Sequence, residues 1–175
     1  DTEYAFYEGK KMTLGEILRS VEAYQCKLVE ITGGEPLMQA GVHELMTALC
    51  DRDYETLLET GGSIDISGVD ARVRRIVDFK CPGSGMMKKN LWANVAHLKA
   101  TDEVKFVIAN REDFDWSVAL IREHDIEARC PSLMSAVFGV LMPLVLAQWI
   151  LESRINVRLQ LQTHKYIWEP ATRGV

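Results

Sequence analysis

No Lys/Arg-rich run occurs anywhere in the 175 residues, and the formal net charge is -5. A surface that binds nucleic acid needs clustered cations to displace phosphate counterions. A nucleic-acid partner is therefore excluded, and any nucleotide-like ligand is expected to be small. Long apolar runs are missing as well: none approaches the roughly 20 residues that cross a bilayer, so no membrane partner is expected. The start, Asp1-Thr2-Glu3, has neither the cationic nor the apolar part of a signal peptide. Cysteine is sparse, with Cys26, Cys50, Cys81 and Cys130 spread along the chain and no Cys-x-x-Cys pair. That spacing suits neither a zinc ribbon nor a disulfide scaffold, and it fits a reducing cytoplasm. Low-complexity segments and linkers are absent too, so residues 1–175 read as a single domain. Because the chain begins at Asp rather than Met, the domain is expected to be incomplete at its N-terminus.

What is present is ample core material, 47% hydrophobic residues beside 26% charged, in a regular alternation of elements. Thr13 and Glu16 form a capping-box pattern, and Leu14, Ile17, Leu18, Val21 and Tyr24 follow at helical spacing. A short apolar run, 28–31, stops at Thr32-Gly33-Gly34-Glu35-Pro36. A helix over 42–49 leads to a strand over 54–58, ended by Glu59-Thr60-Gly61-Gly62. A weaker helical stretch over 69–75 leads to a strand at 76–80. After Cys81-Pro82-Gly83-Ser84-Gly85 the pattern predicts a helix over 91–98, a strand over 104–108 and a helix with Phe114, Val118 and Ile121 on its apolar face. A short strand over 126–128, a helix over 143–152 and a strand over 157–161 complete it. Strands alternating with helices imply crossover connections and a mostly parallel sheet. Six strands leave two architectures open, a partial (β/α) barrel and an open doubly wound sheet.

In parallel α/β folds ligands bind where the carboxyl ends of the strands meet the following loops. Those ends carry Thr32 to Glu35, Glu59 and Thr60, Lys80 to Ser84, Asn110, Ser132 with Ser135, and Gln162 to Lys165. The sharpest signal is Gly33-Gly34-Glu35-Pro36. Paired glycines admit a ligand close to the backbone and take positive φ, Glu35 offers a carboxylate to an ammonium group, and Pro36 can open the next helix. The loop from Cys81 to Lys89 reads either as a cover over the site or as a mobile surface loop.

A strand ending in Gly-Gly-Glu-Pro resembles the radical S-adenosylmethionine superfamily, and Asp1-Thr2 looks like the residues after the last cysteine of that superfamily's cluster loop. The ending, Val157-Arg158-Leu159-Gln160-Leu161-Gln162-Thr163-His164-Lys165-Tyr166-Ile167-Trp168, is similar to the C-terminal region of the 7-carboxy-7-deazaguanine synthase family. The resemblance implies a partial (β/α) barrel that uses S-adenosylmethionine, a [4Fe-4S] cluster and Mg²⁺. Its reaction would turn 6-carboxy-tetrahydropterin into 7-carboxy-7-deazaguanine, with ring contraction and loss of ammonia. It also implies a homodimer and an electron donor such as flavodoxin. Carried over by motif, Gly33, Gly34 and Glu35 would meet the cofactor's methionyl end, with Asp1, Glu59, Lys80 and Ser135 as further cofactor contacts. Thr32, Gln162 and His164 would face the pterin, and Thr2 would supply an oxygen to Mg²⁺. None of the four cysteines can replace the cluster loop, whose ligands are expected ahead of Asp1. Two other readings share the glycine-rich turn: a radical activase acting on a partner protein, and a non-catalytic nucleotide-binding module.

Overall fold

The computed structural model describes residues 9–172. Six strands, β1 (Leu28–Ile31), β2 (Glu55–Thr60), β3 (Arg74–Asp78), β4 (Glu103–Ile108), β5 (Ser132–Ala136) and β6 (Arg158–Gln160), form one sheet in the order β1-β2-β3-β4-β5-β6. Every neighbouring pair is parallel. Five α-helices accompany them: α1 (Leu14–Ala23), α2 (Val42–Cys50), α3 (Arg111–Glu123), α4 (Pro143–Ser153) and α5 (His164–Ile167).

Strand order decides between the two architectures that the sequence left open. A doubly wound sheet reverses direction at a switch point, whereas strands laid down in chain order by right-handed crossovers keep all connections on one face. Side-chain alternation shows the result. Leu58, Val77, Phe79, Val104, Phe106, Ile108 and Met134 point to the covered face and join Met46, Phe114, Val118 and Ile121 in the core. The opposite face carries Glu30, Glu59, Ile76, Lys105, Ser135 and Gln160 around a cavity of about 500 Å³. One hollow of that size touches β1 and β6, the two edges of the sheet. A flat six-stranded sheet would hold those edges roughly 24 Å apart, so the sheet is curled into a partial barrel.

Local chemistry explains the elements that frame this hollow. The capping box at α1 forms as expected: Glu16 N donates to Thr13 Oγ1 at 3.3 Å, and Thr13 N donates to Glu16 Oε2 at 2.7 Å. Asn110 caps α3 by accepting from Asp113 N at 2.9 Å, so its Oδ1 serves the helix. At the amino ends of the strands, Asp102 is fully buried between Arg75 and Lys99 and ties β3 to the loop before β4.

Three expectations are corrected. The fifth strand is Ser132–Ala136, and Ile126–Ala128 is a single 3-10 turn entered through Asp125 at φ 50°. Residues 69–75 are not helical: Asp70 accepts from the backbone and guanidinium of Arg72, making a turn, and β3 already begins at Arg74. The helix expected over 91–98 is a 3-10 helix, Trp92–His97.

Candidate functional site

β1 ends in a turn whose first glycine has a backbone conformation that other residues rarely adopt. Gly33 has φ +92°, and a Cβ there would meet nothing within 4 Å. The space beside it is open to a ligand. The turn delivers Glu35, which is 8% exposed. Its carboxylate accepts from Thr60 Oγ1 at 2.8 and 2.9 Å, from Gly61 N at 2.9 Å and from Leu37 N at 3.1 Å. The turn after β1 is thereby fastened to the end of β2. Three donors, one of them shared by both oxygens, fix the Glu35 carboxylate in place.

Lys80 stands across Gly61 from Glu35. A Cβ on Gly61 would lie 3.4 Å from Glu35 Oε2 and 3.7 Å from Lys80 Cε. The Lys80 ammonium is 2.7 Å from Asp78 Oδ2. Its backbone is clamped on both sides by Asn90, whose Oδ1 accepts from Lys80 N and whose Nδ2 donates to Lys80 O. That clamp closes the loop beginning Cys81-Pro82-Gly83, and Asp113 holds the loop's base by accepting from Gly83 N at 2.7 Å. The root of the loop is therefore fixed, while Met86, Lys88 and Lys89 near its tip are exposed.

Below this rim lies the cavity wall. Glu59 pairs with Lys105 at 2.6 Å. Burial works against the Lys105 charge, but Glu59, Asp78 and Glu30 together raise its pKa. Burial pushes the Asp78 carboxyl upward against the lowering pull of Lys80 and Lys105. Loss of water contact and the neighbouring Glu59 charge push Glu30 the same way.

The expected residues fall into two neighbouring groups. Gly33, Gly34, Glu35 and Lys80 gather at the carboxyl ends of β1 to β3. Glu59, Ser135, Gln162 and His164 line the same cavity. Ser135 is 1% exposed, and its hydroxyl donates to Gln160 O at 2.9 Å, holding β5 to β6. Gln162 Oε1 accepts from Phe138 N at 3.1 Å, which leaves its amide donors available. His164 opens α5 at the cavity wall. Thr32 is exposed on the turn beside Gly33, and it does not line the cavity. Asp1 and Thr2 lie outside the described residues.

Sequence reasoning missed Asp78, although Asp78-Phe79-Lys80 carried a usable signal: in an extended run, charges two apart share a face. It also missed Thr60 as the partner of Glu35, which adjacency in sequence cannot reveal.

The cysteines do not suit an iron-sulfur cluster. Cys26 is exposed and unpaired, and Cys50, Cys81 and Cys130 are buried on separate elements. Burial pushes the Cys81 thiol up to about 12 and the Cys130 thiol up to about 11, the reverse of what thiolate ligation needs. Among the described residues there is no group of three or more His, Cys, Asp or Glu arranged to hold a metal ion. No helix there is long and apolar enough to cross a membrane.

No protein-family profile matches the chain. Among curated proteins it is 46% identical to a 7-carboxy-7-deazaguanine synthase of Chlorobaculum tepidum, in a match that covers 100% of this chain and 81% of that one. It is 38% identical to the same enzyme of Koribacter versatilis, over 100% of this chain and 84% of that one. Among solved structures, QueE from Escherichia coli superposes with a TM-score of 0.68 at 17% identity. That superposition covers 86% of this chain and 64% of the Escherichia coli chain, and it bears on the fold alone. With a glycine-rich turn at the mouth of a curled parallel sheet and this identity along its whole length, the chain belongs to the 7-carboxy-7-deazaguanine synthase family, lyases of the radical S-adenosylmethionine fold.

Proposed function

We propose that the cavity carries the reaction named by the family: conversion of 6-carboxy-tetrahydropterin to 7-carboxy-7-deazaguanine, with ring contraction and release of ammonia. The observation that carries this reading is that residues of opposite charge flank Gly61 at the carboxyl ends of the strands, Glu35 on one side and Lys80 on the other, next to Glu59 on the cavity wall. A zwitterionic amino-acid end needs such a pair: an anchored carboxylate for its ammonium and a cation for its carboxylate. S-adenosylmethionine has that end, and when bound it supplies the hydrogen-abstracting radical.

The chain's own residues bind and orient. Gly33 and Gly34 let the ligand approach the backbone, and Glu35 takes its ammonium. Glu59 and Ser135 extend the cofactor side of the cavity. Gln162 and His164 form the pterin side, where an edge rich in donors and acceptors calls for amide and imidazole partners; Thr32, outside the cavity lining, would reach the pterin from the turn beside Gly33. Mg²⁺ at Thr2, a flavodoxin-like electron donor, a homodimer and a cytoplasmic setting belong to this reading through the family resemblance.

Equilibrium binding of 6-carboxy-tetrahydropterin tests it. Binding should occur with S-adenosylmethionine present and fall by about tenfold in Gln162→Ala or His164→Ala, the loss expected for a hydrogen bond in a buried site. A protein that binds the pterin no better than an unrelated purine, or variants that bind it normally, would sink the assignment.

A further inference from the structure

The Asp78 carboxylate is half used. Oδ2 takes the Lys80 ammonium at 2.7 Å, whereas Oδ1 is enclosed and has no partner among the described residues. Buried carboxylate oxygens are normally satisfied, because leaving one bare carries a desolvation penalty. Neither neighbouring cation meets this need through a second contact: Lys105 is engaged by Glu59 at 2.6 Å, and Lys80 reaches only Oδ2. No contact among the described residues offsets the burial of Oδ1.

The surroundings of Lys80 indicate what its pair with Asp78 does. Asn90 fixes its backbone at N and O, but that leaves four side-chain torsions free, and the side chain is about one third exposed. A lysine in that position samples many rotamers unless something holds its tip. Asp78, two residues earlier on the same face of the strand, is that holder, and with the tip so held the lysine Cε lies beside Gly61, whose other neighbour is Glu35 Oε2.

We infer that Asp78 is a positioning residue for cofactor binding: by anchoring Lys80 opposite Glu35 it sets the spacing of a two-charge receptor for an amino-acid zwitterion. An ammonium has three donors, so Lys80 can keep Asp78 and accept a ligand carboxylate together. The inference rests on the reading of Glu35 and Lys80 as the contacts of the cofactor's methionyl end.

The test compares two probes in the full chain by equilibrium binding. One is S-adenosylmethionine. The other is 5'-methylthioadenosine, which keeps the nucleoside and sulfur but lacks the amino-acid end. Asp78→Asn should weaken S-adenosylmethionine by about tenfold, as expected for a lost charge-assisted contact, and leave 5'-methylthioadenosine within about twofold. Lys80→Met should do the same, and the double variant should be no worse than Lys80→Met alone, as two residues acting through one contact require. A general loss of folding would weaken both probes together and overturn the inference. So would an Asp78→Asn protein that keeps its preference while Lys80→Met loses it; that result leaves the parent reading standing. A wild-type protein that binds both probes equally would overturn the parent reading and the inference with it.

Discussion

Thr60 Oγ1 lies 2.8 and 2.9 Å from the two oxygens of Glu35, so a single hydroxyl at the end of β2 fastens the carboxylate that closes the turn after β1. Both residues are buried. Thr60→Val keeps the shape and removes the donor. It should cost about 1–3 kcal/mol of stability, the penalty for stranding a buried acceptor, and Thr60→Ser should recover most of it. Urea denaturation of the three proteins measures this. Equal midpoints would mean that Gly61 N and Leu37 N hold Glu35 without help.

Gly61 is the opposite case, since its backbone is not in the left-handed region. Gly61→Ala should therefore fold normally and gain up to about 1 kcal/mol from a stiffer unfolded chain. The new methyl would occupy the gap between Glu35 and Lys80, so the melting temperature should hold or rise while S-adenosylmethionine binding falls. A loss of both properties would show that the gap is structural.

The Asp78 carboxyl has its pKa raised in the folded state by burial, against the pull of Lys80. A carboxyl raised on folding binds more protons in the native than in the unfolded state, so its contribution is present at low pH and disappears as pH rises through the native value. Asp78→Asn removes that slope. Its melting temperature at pH 8 should be no lower than that of wild type, and its advantage should shrink toward pH 5. A variant destabilised at pH 8 would mean that the pair with Lys80 outweighs desolvation.

At the other end of the strands the sign reverses. Burial alone would raise the Asp102 carboxyl, but hydrogen bonds from Arg75 and Lys99 hold it below the ordinary range. Its stabilisation is present above the unfolded value and is lost as pH falls through the native one. Asp102→Asn strands the buried Arg75 guanidinium and should cost about 3–5 kcal/mol at neutral pH. Chemical denaturation at pH 7 measures that, and a parallel series toward pH 3 should show the deficit narrowing.

Much of this architecture could be read from residue order, and the failures have identifiable causes. Strands such as 28–31 and 104–108 announced themselves by β-branched and apolar runs between turn signals. β5 did not, because Ser132-Leu133-Met134-Ser135-Ala136 is buried at all five positions and has no β-branched residue. Burial on both faces removes alternation, and the more patterned Ile126-Glu127-Ala128 drew the assignment instead. In the site, Gly33-Gly34-Glu35 was legible because the turn's chemistry is local. The grip of Thr60 on Glu35 spans 25 positions of sequence and exists only once β1 pairs with β2. Asp78 was overlooked because a charge at a strand end reads first as a solvated residue.

The unbroken succession of strands also sets how the reaction vessel comes into being. Each new strand docks only on the one made just before it, so the sheet can grow during synthesis without waiting for distant chain. The hollow obeys a different schedule. Its far wall is Gln160, Gln162 and His164 on and just beyond the last strand, so a nascent chain stopped at residue 150 would have most of its scaffold and nowhere to put a substrate.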